Sequence, residues 1–178
     1  NNVYVPQYVS NLSSMIHIVD GKLNDVGDEK NNLSMAWFAK NIEGTRRLKL
    51  NLYNYFVNMH RGAEPKEKLW STYSSYKDKL TGKGYSKAFL SFNTRATNEY
   101  RESRYLAYAV NIYMNVAEKL AYTSNGIKVD EDAYALSIML QWIWRSAIRD
   151  GKEIELYIPS KRMRTILTNW IKNVSTNI

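Results

Sequence analysis

The sequence predicts an α/β domain in which a mostly parallel sheet is flanked by helices. From about residue 66 onward, short apolar runs typical of strands alternate with segments of helical pattern. Residues 105–113 are almost continuously apolar, as is typical of a parallel strand that is covered on both faces. Apolar residues make up 44% of the 178 residues, which is enough for a core between such layers.

Residues 1–65 are predicted to form an N-terminal extension that is irregular at first and then helical. Residues 15–19 have the apolar character of a short strand. Asn31 or Asn32 is placed to cap a helix that starts near Leu33, because an asparagine oxygen can accept from the free N–H groups of a first turn. Gly44 is predicted to break the following stretch into two helices.

Residues 66–178 are predicted to form the main lobe, with strands at 69–73, 87–92, 105–113 and 153–158. A short helix follows Ser74, and Asn115 is placed to cap the next one. Asp132 or a neighbour caps the helix after that, and Ser160 caps a final helix that runs through Trp170. Strands separated by helices of this length predict parallel pairing.

Gln141, Arg145 and Arg149 are spaced four residues apart in an otherwise apolar segment. On a single helix this spacing brings side chains to one face. Two guanidinium groups that project together suit a phosphate, because each is planar, always charged and rich in donors. The alternative interpretation is an ordinary polar stripe on an amphipathic helix.

A polar segment follows the strand predicted at 87–92. It contains Asn93, Arg95, Thr97, Asn98 and Arg101, whose amide, hydroxyl and guanidinium groups are suited to a nucleic-acid backbone. The alternative is a plain connection between strand and helix, with Asn98 or Thr97 as the helix cap.

Lys161 and Arg162 directly follow Ser160 at the predicted start of the last helix. Free backbone N–H groups at a helix start favour anions, so these two residues are candidates for binding a nucleic-acid phosphate. The alternative is a solvated first turn, since basic residues there oppose the helix dipole.

Lysine and arginine number 25 against 17 acidic residues, giving a net charge of +8. This balance favours a polyanionic partner such as nucleic acid, and we expect DNA rather than RNA. No metal site is predicted: there is no cysteine, and the two histidines, His17 and His60, are far apart in the sequence. No apolar run approaches the ~20 residues of a membrane-spanning helix, so we expect a cytoplasmic protein without a membrane partner.

The order of elements over residues 66–172 resembles the C-terminal RecA-like lobe of superfamily 2 (DEAD/DEAH-type) helicases. Gln141 and Arg145 keep the glutamine-to-arginine spacing of that family's motif VI, whereas Trp144 stands where the family has glycine and Arg149 lies one residue late. Residues 89–100 lie where motif V belongs. The segments around residues 95–100 and 144–149 also look like those of helicase-like proteins of phages and mobile elements.

The resemblance implies that Arg145 and Arg149 are arginine fingers and that Gln141 lies near the phosphate. It implies ATP and Mg²⁺ as cofactors only together with an N-terminal helicase lobe, since this sequence has no phosphate-binding loop and no acidic magnesium motif. Because the chain begins at Asn1 rather than methionine, we expect a fragment or a processed product. Alone it should bind nucleic acid without hydrolysing ATP, in the host cytoplasm if it is encoded by a phage.

Two alternative functions are not enzymatic. The chain could be a basic nucleic-acid-binding module of a replication or packaging complex, or an interaction domain whose basic surface meets an acidic protein.

Overall fold

The computed structural model describes residues 11–94 and 98–176, and this part contains a four-stranded sheet. The strands are β1 (Ile16–Ile18), β2 (Lys68–Ser71), β3 (Tyr105–Tyr108) and β4 (Ile154–Tyr157), in the order β1-β4-β3-β2. Every neighbouring pair is parallel. The predicted α/β fold with a parallel sheet is therefore confirmed.

One face of the sheet is covered by what we call the first layer. Its helices are α1 (Leu12–Met15), α6 (Glu131–Ile143) and α7 (Lys161–Thr176), and the helix α5 (Val116–Ser124) precedes α6 in the chain. Leu106 of β3, opposite Leu69 and Leu156 in the neighbouring strands, lies in a buried cluster with Trp142 and Leu167 from this layer. α5 contributes no buried residue.

The other face is covered by the second layer. Its helices are α2 (Met35–Lys40), α3 (Ile42–Tyr53), a π-helix (Asn54–Met59) and α4 (Lys77–Leu80). Leu48, Leu52 and Phe56 pack there against the fully buried Trp70 and Tyr157 of the sheet. Five short 3₁₀ segments connect the elements, at Lys22–Gly27, Pro65–Glu67, Ser74–Tyr76, Ser86–Ala88 and Ala147–Asp150. No helix of the described ranges is long and apolar enough to cross a bilayer.

Residues before 66 are part of the same sheet and core as the residues that follow. β1 forms an edge of the sheet beside β4, with Ile16 opposite Ile154. Seven of the fourteen buried residues in the second-layer cluster, from Val26 to Phe56, also lie before residue 66. The boundary predicted between residues 65 and 66 therefore falls within continuous packing.

The connections leave the sheet in two directions. The chain runs from β1 and β2 into the second layer, and from β3 and β4 into the first layer. β1 lies beside β4, and β2 lies beside β3. Between the two strands of each pair, the chain therefore leaves toward opposite faces of the sheet. In open parallel sheets, such an arrangement leaves a crevice at the carboxyl ends of the strands. We call this end of the sheet the carboxyl edge.

Two helix caps were predicted at the correct residues. The Asn115 side chain accepts from the N–H of Ala117, and the Ser160 hydroxyl accepts from the N–H of Met163. The cap of α6 is Asp130 rather than Asp132, because its carboxylate accepts from two N–H groups of the first turn.

The helices between residues 33 and 59 begin at other residues than predicted. Ser34, not Asn31 or Asn32, caps α2. The break between α2 and α3 lies at Asn41, whose side chain accepts from the N–H of Gly44, so that this glycine belongs to the first turn of α3.

All four strands predicted in residues 66–178 are shorter than predicted, and two of them differ most. Residues 87–92 contribute only one parallel bridge, between Phe89 and Trp70. β3 ends at Tyr108 although the apolar run continues. The Ala109 N–H makes the last bond of the ladder, to the Ser71 carbonyl, and the Asn111 N–H then donates to the Leu33 carbonyl outside the sheet.

The π-helix continues α3 without interruption and ends next to His60. Tyr55 on this helix is fully buried in the second layer. The His60 Nε2 atom lies 2.6 Å from Glu155 Oε1 of β4, and its ring stacks on Tyr105 with 3.9 Å between centroids. The end of the helix is thus attached to the two central strands.

Gly27 should be essential for stability. A Cβ atom at this position would lie 1.9 Å from the carbonyl oxygen of Pro159, and backbone atoms cannot move aside cheaply. We expect Gly27→Ala to lower the free energy of unfolding by about 2 kcal/mol or more. Gly62→Ala is the matched control, since nothing lies within 4 Å of its added Cβ. Equal urea-denaturation midpoints for the two variants would contradict the close approach.

Candidate functional site

Gln141, Arg145 and Arg149 do not form one helical stripe. Gln141 is exposed on α6, but this helix ends at Ile143. Arg145 lies in the turn that follows, and Arg149 lies in the 3₁₀ segment Ala147–Asp150. The prediction of a single polar face is therefore wrong.

The helix ends early because the chain makes other hydrogen bonds. The Ser146 hydroxyl donates to the Ile143 carbonyl at 2.6 Å, which satisfies an acceptor of the last turn. The Ala147 N–H donates to the Ser103 carbonyl at 2.9 Å, just before β3 begins. This bond holds residues 147–150 at the amino ends of the strands, opposite the carboxyl edge.

Three predicted site residues come together at this amino edge. Arg149 Nη1 donates to Asn98 Oδ1 at 2.6 Å, and Arg101 Nε donates to Asp150 Oδ2 at 2.9 Å. The hydrogen bond from Arg101 lowers the pKa of Asp150 below its ordinary value. The charge of Arg101 is thus met by a carboxylate of the same domain.

Asn93 lies apart from that group, on the exposed segment that follows the Phe89 bridge. Its N–H donates to the Ser91 hydroxyl at 3.4 Å. The two remaining predicted members of this segment, Arg95 and Thr97, lie outside the described residues.

Arg145 has one donor without a protein acceptor. Its Nη1 atom is buried and has no hydrogen-bond partner within residues 11–94 and 98–176. Burial lowers the pKa of the guanidinium, which remains charged at neutral pH. A buried donor of this kind is costly unless an acceptor from outside the described chain meets it.

At the carboxyl edge, the fully buried Asn111 is the centre of a polar network. Its Nδ2 atom donates to the carbonyls of Lys30 (2.9 Å) and Asn32 (3.0 Å), and its Oδ1 accepts from Arg162 Nη1 (2.9 Å). The hydroxyl of Tyr73 donates to the Asn111 carbonyl at 2.7 Å, and burial raises the pKa of Tyr73 to about 12. An asparagine within the apolar run 105–113 was a visible sign of this network in the sequence.

Arg162 is used inside the protein rather than presented to solvent. Only 9% of its side chain is exposed. Its Nη2 and Nε atoms lie 2.7 and 3.1 Å from Asp132 Oδ1, and Nη1 donates to the Ile112 carbonyl at 2.7 Å. The guanidinium also lies over the Tyr113 ring, 4.2 Å from its centroid. Of the two predicted phosphate ligands at this helix start, Lys161 is the exposed one.

A groove of about 350 Å³ opens beside this network, between the loop after β1 and the start of α7. It is lined by Asp28, Lys30, Asp132, Lys161, Arg162, Thr165, Ile166 and Asn169. Two carboxylates offset its basic residues, so this groove is mixed in charge.

The strongest concentration of positive charge lies in the second layer. Residues 35–90 contain eleven basic and four acidic residues, a net charge of +7 out of +8 for the chain. Within it, Lys77, Lys79, Lys83 and Lys87 form what we call the lysine cluster, with Asp78 as the single acid in that stretch. The four lysines stand close together in the sequence, but the sequence-based prediction of the site rested on arginines and did not include them.

Aromatic rings lie beneath two of these lysines. The Lys77 ammonium lies 5.0 Å from the centroid of Phe89, and that of Lys79 lies 5.2 Å from the centroid of Tyr76. Lys79, Lys83 and Lys87 are exposed. The cluster therefore combines exposed cations with aromatic groups, the chemistry that nucleic acids bind.

The acidic residues near the start of α6 have structural roles. Asp130 caps the helix, Glu131 pairs with Lys119 at 3.1 Å, and Asp132 pairs with Arg162. The described ranges contain no group of three or more histidine, aspartate or glutamate side chains placed to hold a metal ion.

The buried position of Arg162 leads to a stability test. Arg162→Ala would leave the buried oxygens of Asn111 and Ile112 without their donor, so we expect a loss of about 3 kcal/mol in the free energy of unfolding. Lys161→Ala removes the same charge from the neighbouring exposed position and should change stability by less than about 0.5 kcal/mol. Urea denaturation measures both, and an Arg162→Ala variant as stable as Lys161→Ala would refute the network.

Comparison with known proteins places the chain among phage-related sequences. The chain is 47% identical over 162 residues to the SPbeta prophage-derived uncharacterized protein YonV of Bacillus subtilis (strain 168). The match covers 91% of this chain and 39% of that relative, so the chain spans about two fifths of the relative's length. No solved structure matches the chain.

The family comparison agrees with the fold. A family model described as the YonV C-terminal Rossmann-like domain matches residues 10–171, which include all four strands. The resemblance to a superfamily 2 helicase lobe stays a prediction. The chain belongs to the family of YonV C-terminal Rossmann-like domains.

Proposed function

We propose that this domain binds nucleic acid through the lysine cluster of the second layer. The observation that carries the proposal is the uneven charge of the molecule, since residues 35–90 hold a net +7 of the chain's +8. Neutralising phosphates with lysine and arginine releases condensed counterions, and this supplies most of the affinity of sequence-independent binding.

The cluster is available for phosphate contacts. Lys83 and Lys87 are exposed, and no carboxylate of the described residues lies within 4.0 Å of their ammonium groups. Lys77 and Lys79 lie over aromatic rings, which leave the cations charged. Arg101 and Arg162, by contrast, already have acidic partners.

The chain continues from the cluster into the predicted nucleic-acid segment. Phe89, over which Lys77 lies, bridges to the edge strand β2, and the exposed Asn93 follows four residues later. An amide next to a row of ammonium groups can add hydrogen bonds to a backbone held by charge. We therefore place the interface along the β2 side of the sheet, with DNA as the expected partner.

The experiment compares two variants of equal charge. Lys79→Gln/Lys83→Gln/Lys87→Gln removes three exposed lysines of the cluster, whereas Lys22→Gln/Lys128→Gln/Lys152→Gln removes three exposed lysines elsewhere. Binding of a fluorescein-labelled duplex and of its single strand is measured by anisotropy over a series of salt concentrations. We expect the cluster variant to bind at least about tenfold more weakly and to flatten the slope of log Kd against log salt by about 2 to 3.

The control variant should keep the parental slope within about one unit, since its lysines make no phosphate contact. An equal loss in both variants would show that only net charge matters and would remove the assigned interface. A parent that binds neither DNA nor RNA at low salt would remove the proposed function.

A second candidate function is the helicase lobe implied by the sequence resemblance. The observation that favours it is Arg145, a half-buried arginine whose Nη1 donor has no acceptor within residues 11–94 and 98–176, and whose side chain would have to turn outward to meet an ATP phosphate from another lobe. Arg149 is bonded to Asn98, so Arg145 is the better arginine finger in this geometry.

ATP hydrolysis by the full-length protein that contains this domain tests this candidate. Arg145→Ala should lower kcat by about 10³-fold or more with nucleic-acid binding unchanged, whereas Arg149→Ala should have the smaller effect. A full-length protein without ATPase activity, or an Arg145→Ala variant with parental turnover, would exclude the arginine finger.

A further inference from the structure

Two aromatic rings next to the lysine cluster, those of Tyr76 and Phe89, are held from the inside of the protein. Tyr76 is stacked on the buried Phe38, with 4.8 Å between the ring centroids and 22° between the ring planes. Phe89 meets the buried Trp70 edge to face, with 4.9 Å between the centroids and 67° between the planes. Because stacked and edge-to-face pairs are the preferred arrangements of aromatic rings, these buried neighbours fix the two rings in place.

The outer side of the two rings is occupied by lysine side chains. Both Tyr76 and Phe89 are half-buried, so part of each remains accessible to solvent. The Lys79 ammonium group lies over the Tyr76 ring at 5.2 Å from its centroid, and that of Lys77 lies over the Phe89 ring at 5.0 Å. A lysine carries its charge on a flexible four-carbon stem. It can therefore move aside for a flat ligand while the ring below stays in position.

The two rings lie within reach of one short strand of nucleic acid. Lys77 directly follows Tyr76 in the chain and its ammonium group lies over Phe89, so the length of one lysine side chain links the two ring positions. Both rings pack against the buried cluster of the second layer. Lys83 and Lys87, which lie between the rings in the sequence, are exposed. Aromatic rings and exposed cations thus occupy one region of the surface.

We propose that Tyr76 and Phe89 stack on the bases of an unpaired strand, so that the domain binds single-stranded DNA more tightly than the duplex. This inference rests on the nucleic-acid binding proposed for the lysine cluster and specifies the form of the nucleic acid. Every base has a flat face that can lie on an aromatic ring, and in a duplex both faces are covered by the neighbouring base pairs. An unpaired strand offers its faces, so the rings add affinity for that form alone.

Charge by itself would produce the opposite preference. The duplex carries two strands of phosphates and releases more counterions for each phosphate that is neutralised than a single strand does. A surface of lysines alone should therefore favour the duplex. Tighter binding of the single strand requires a contact with the bases, and the rings beneath Lys77 and Lys79 are groups that can make it.

Three fluorescein-labelled probes of equal length separate contacts with bases from contacts with phosphates: a thymidine strand, a strand of abasic sites and a duplex. Their Kd values are measured by anisotropy at one salt concentration for the parent and for two variants. Tyr76→Leu/Phe89→Leu removes both rings and keeps apolar side chains against the core. Tyr134→Leu is the matched control, since it removes a half-buried ring from α6 in the other layer.

We expect the parent to bind the thymidine strand at least about tenfold more tightly than the abasic strand and the duplex. The double variant should lose about tenfold or more for the thymidine strand and less than about twofold for the other probes, with the control unchanged. Equal affinity of the parent for the thymidine and abasic strands overturns the inference, whatever the stability of the variants, and so does an equal loss by the double variant on all three probes. In those cases the lysine cluster keeps its proposed function, whereas a parent that binds none of the probes removes that function as well.

Discussion

The hydrogen bonds of the Asn111 side chain connect parts of the molecule that are far apart in the sequence. They join the carboxyl end of β3 to the carbonyls of Lys30 and Asn32, and through Arg162 to the starts of α7 and α6. The amide uses both its donor and its acceptor groups in a site without solvent access. Because each partner left alone there would cost about 1 to 3 kcal/mol, the network is formed completely or not at all. Segments of both layers are therefore tied together at the carboxyl edge by one residue that lies three positions after β3.

Ion pairs and hydrogen bonds within the domain also decide which cations remain for partners. Arg162 gives its donors to the interior, and Arg101 gives its donors to Asp150, so their charges are largely neutralised within the domain. Lys79, Lys83 and Lys87 of the lysine cluster stand on exposed positions. Among these residues, the two arginines hold segments together and the three lysines face solvent. That division agrees with the chemistry of the two side chains, since the guanidinium is the less strongly hydrated and the more directional donor.

Several features that local physics decides were predicted correctly, although the cap of α2 and the break before α3 were assigned to neighbouring residues. The apolar run at 105–113 placed the central parallel strand, and Asn115 and Ser160 capped the helices for which they were predicted. Predictions were wrong where a distant hydrogen bond decides. α6 ends at Ile143 because Ala147 bonds to Ser103, forty-four residues earlier in the chain, and no spacing of glutamine and arginine contains that information. The four lysines of the lysine cluster are close together in the sequence. That they belong to the most basic layer of the fold follows only from the structure, which shows which layer each segment joins.

The π-helix at residues 54–59 constrains the length of this segment in members of the family. Such a helix closes its hydrogen bonds over one more residue than an α-helix, so it amounts to a single inserted residue in the middle of a helical segment. Here the extra residue lets Tyr55 and Phe56 enter the core while His60 still reaches Glu155. A deletion of one residue would turn everything after it by about 100° around the helix axis and separate these contacts. The length of this segment is therefore under stronger constraint than its composition, and an alignment of family members should contain substitutions there but no gap.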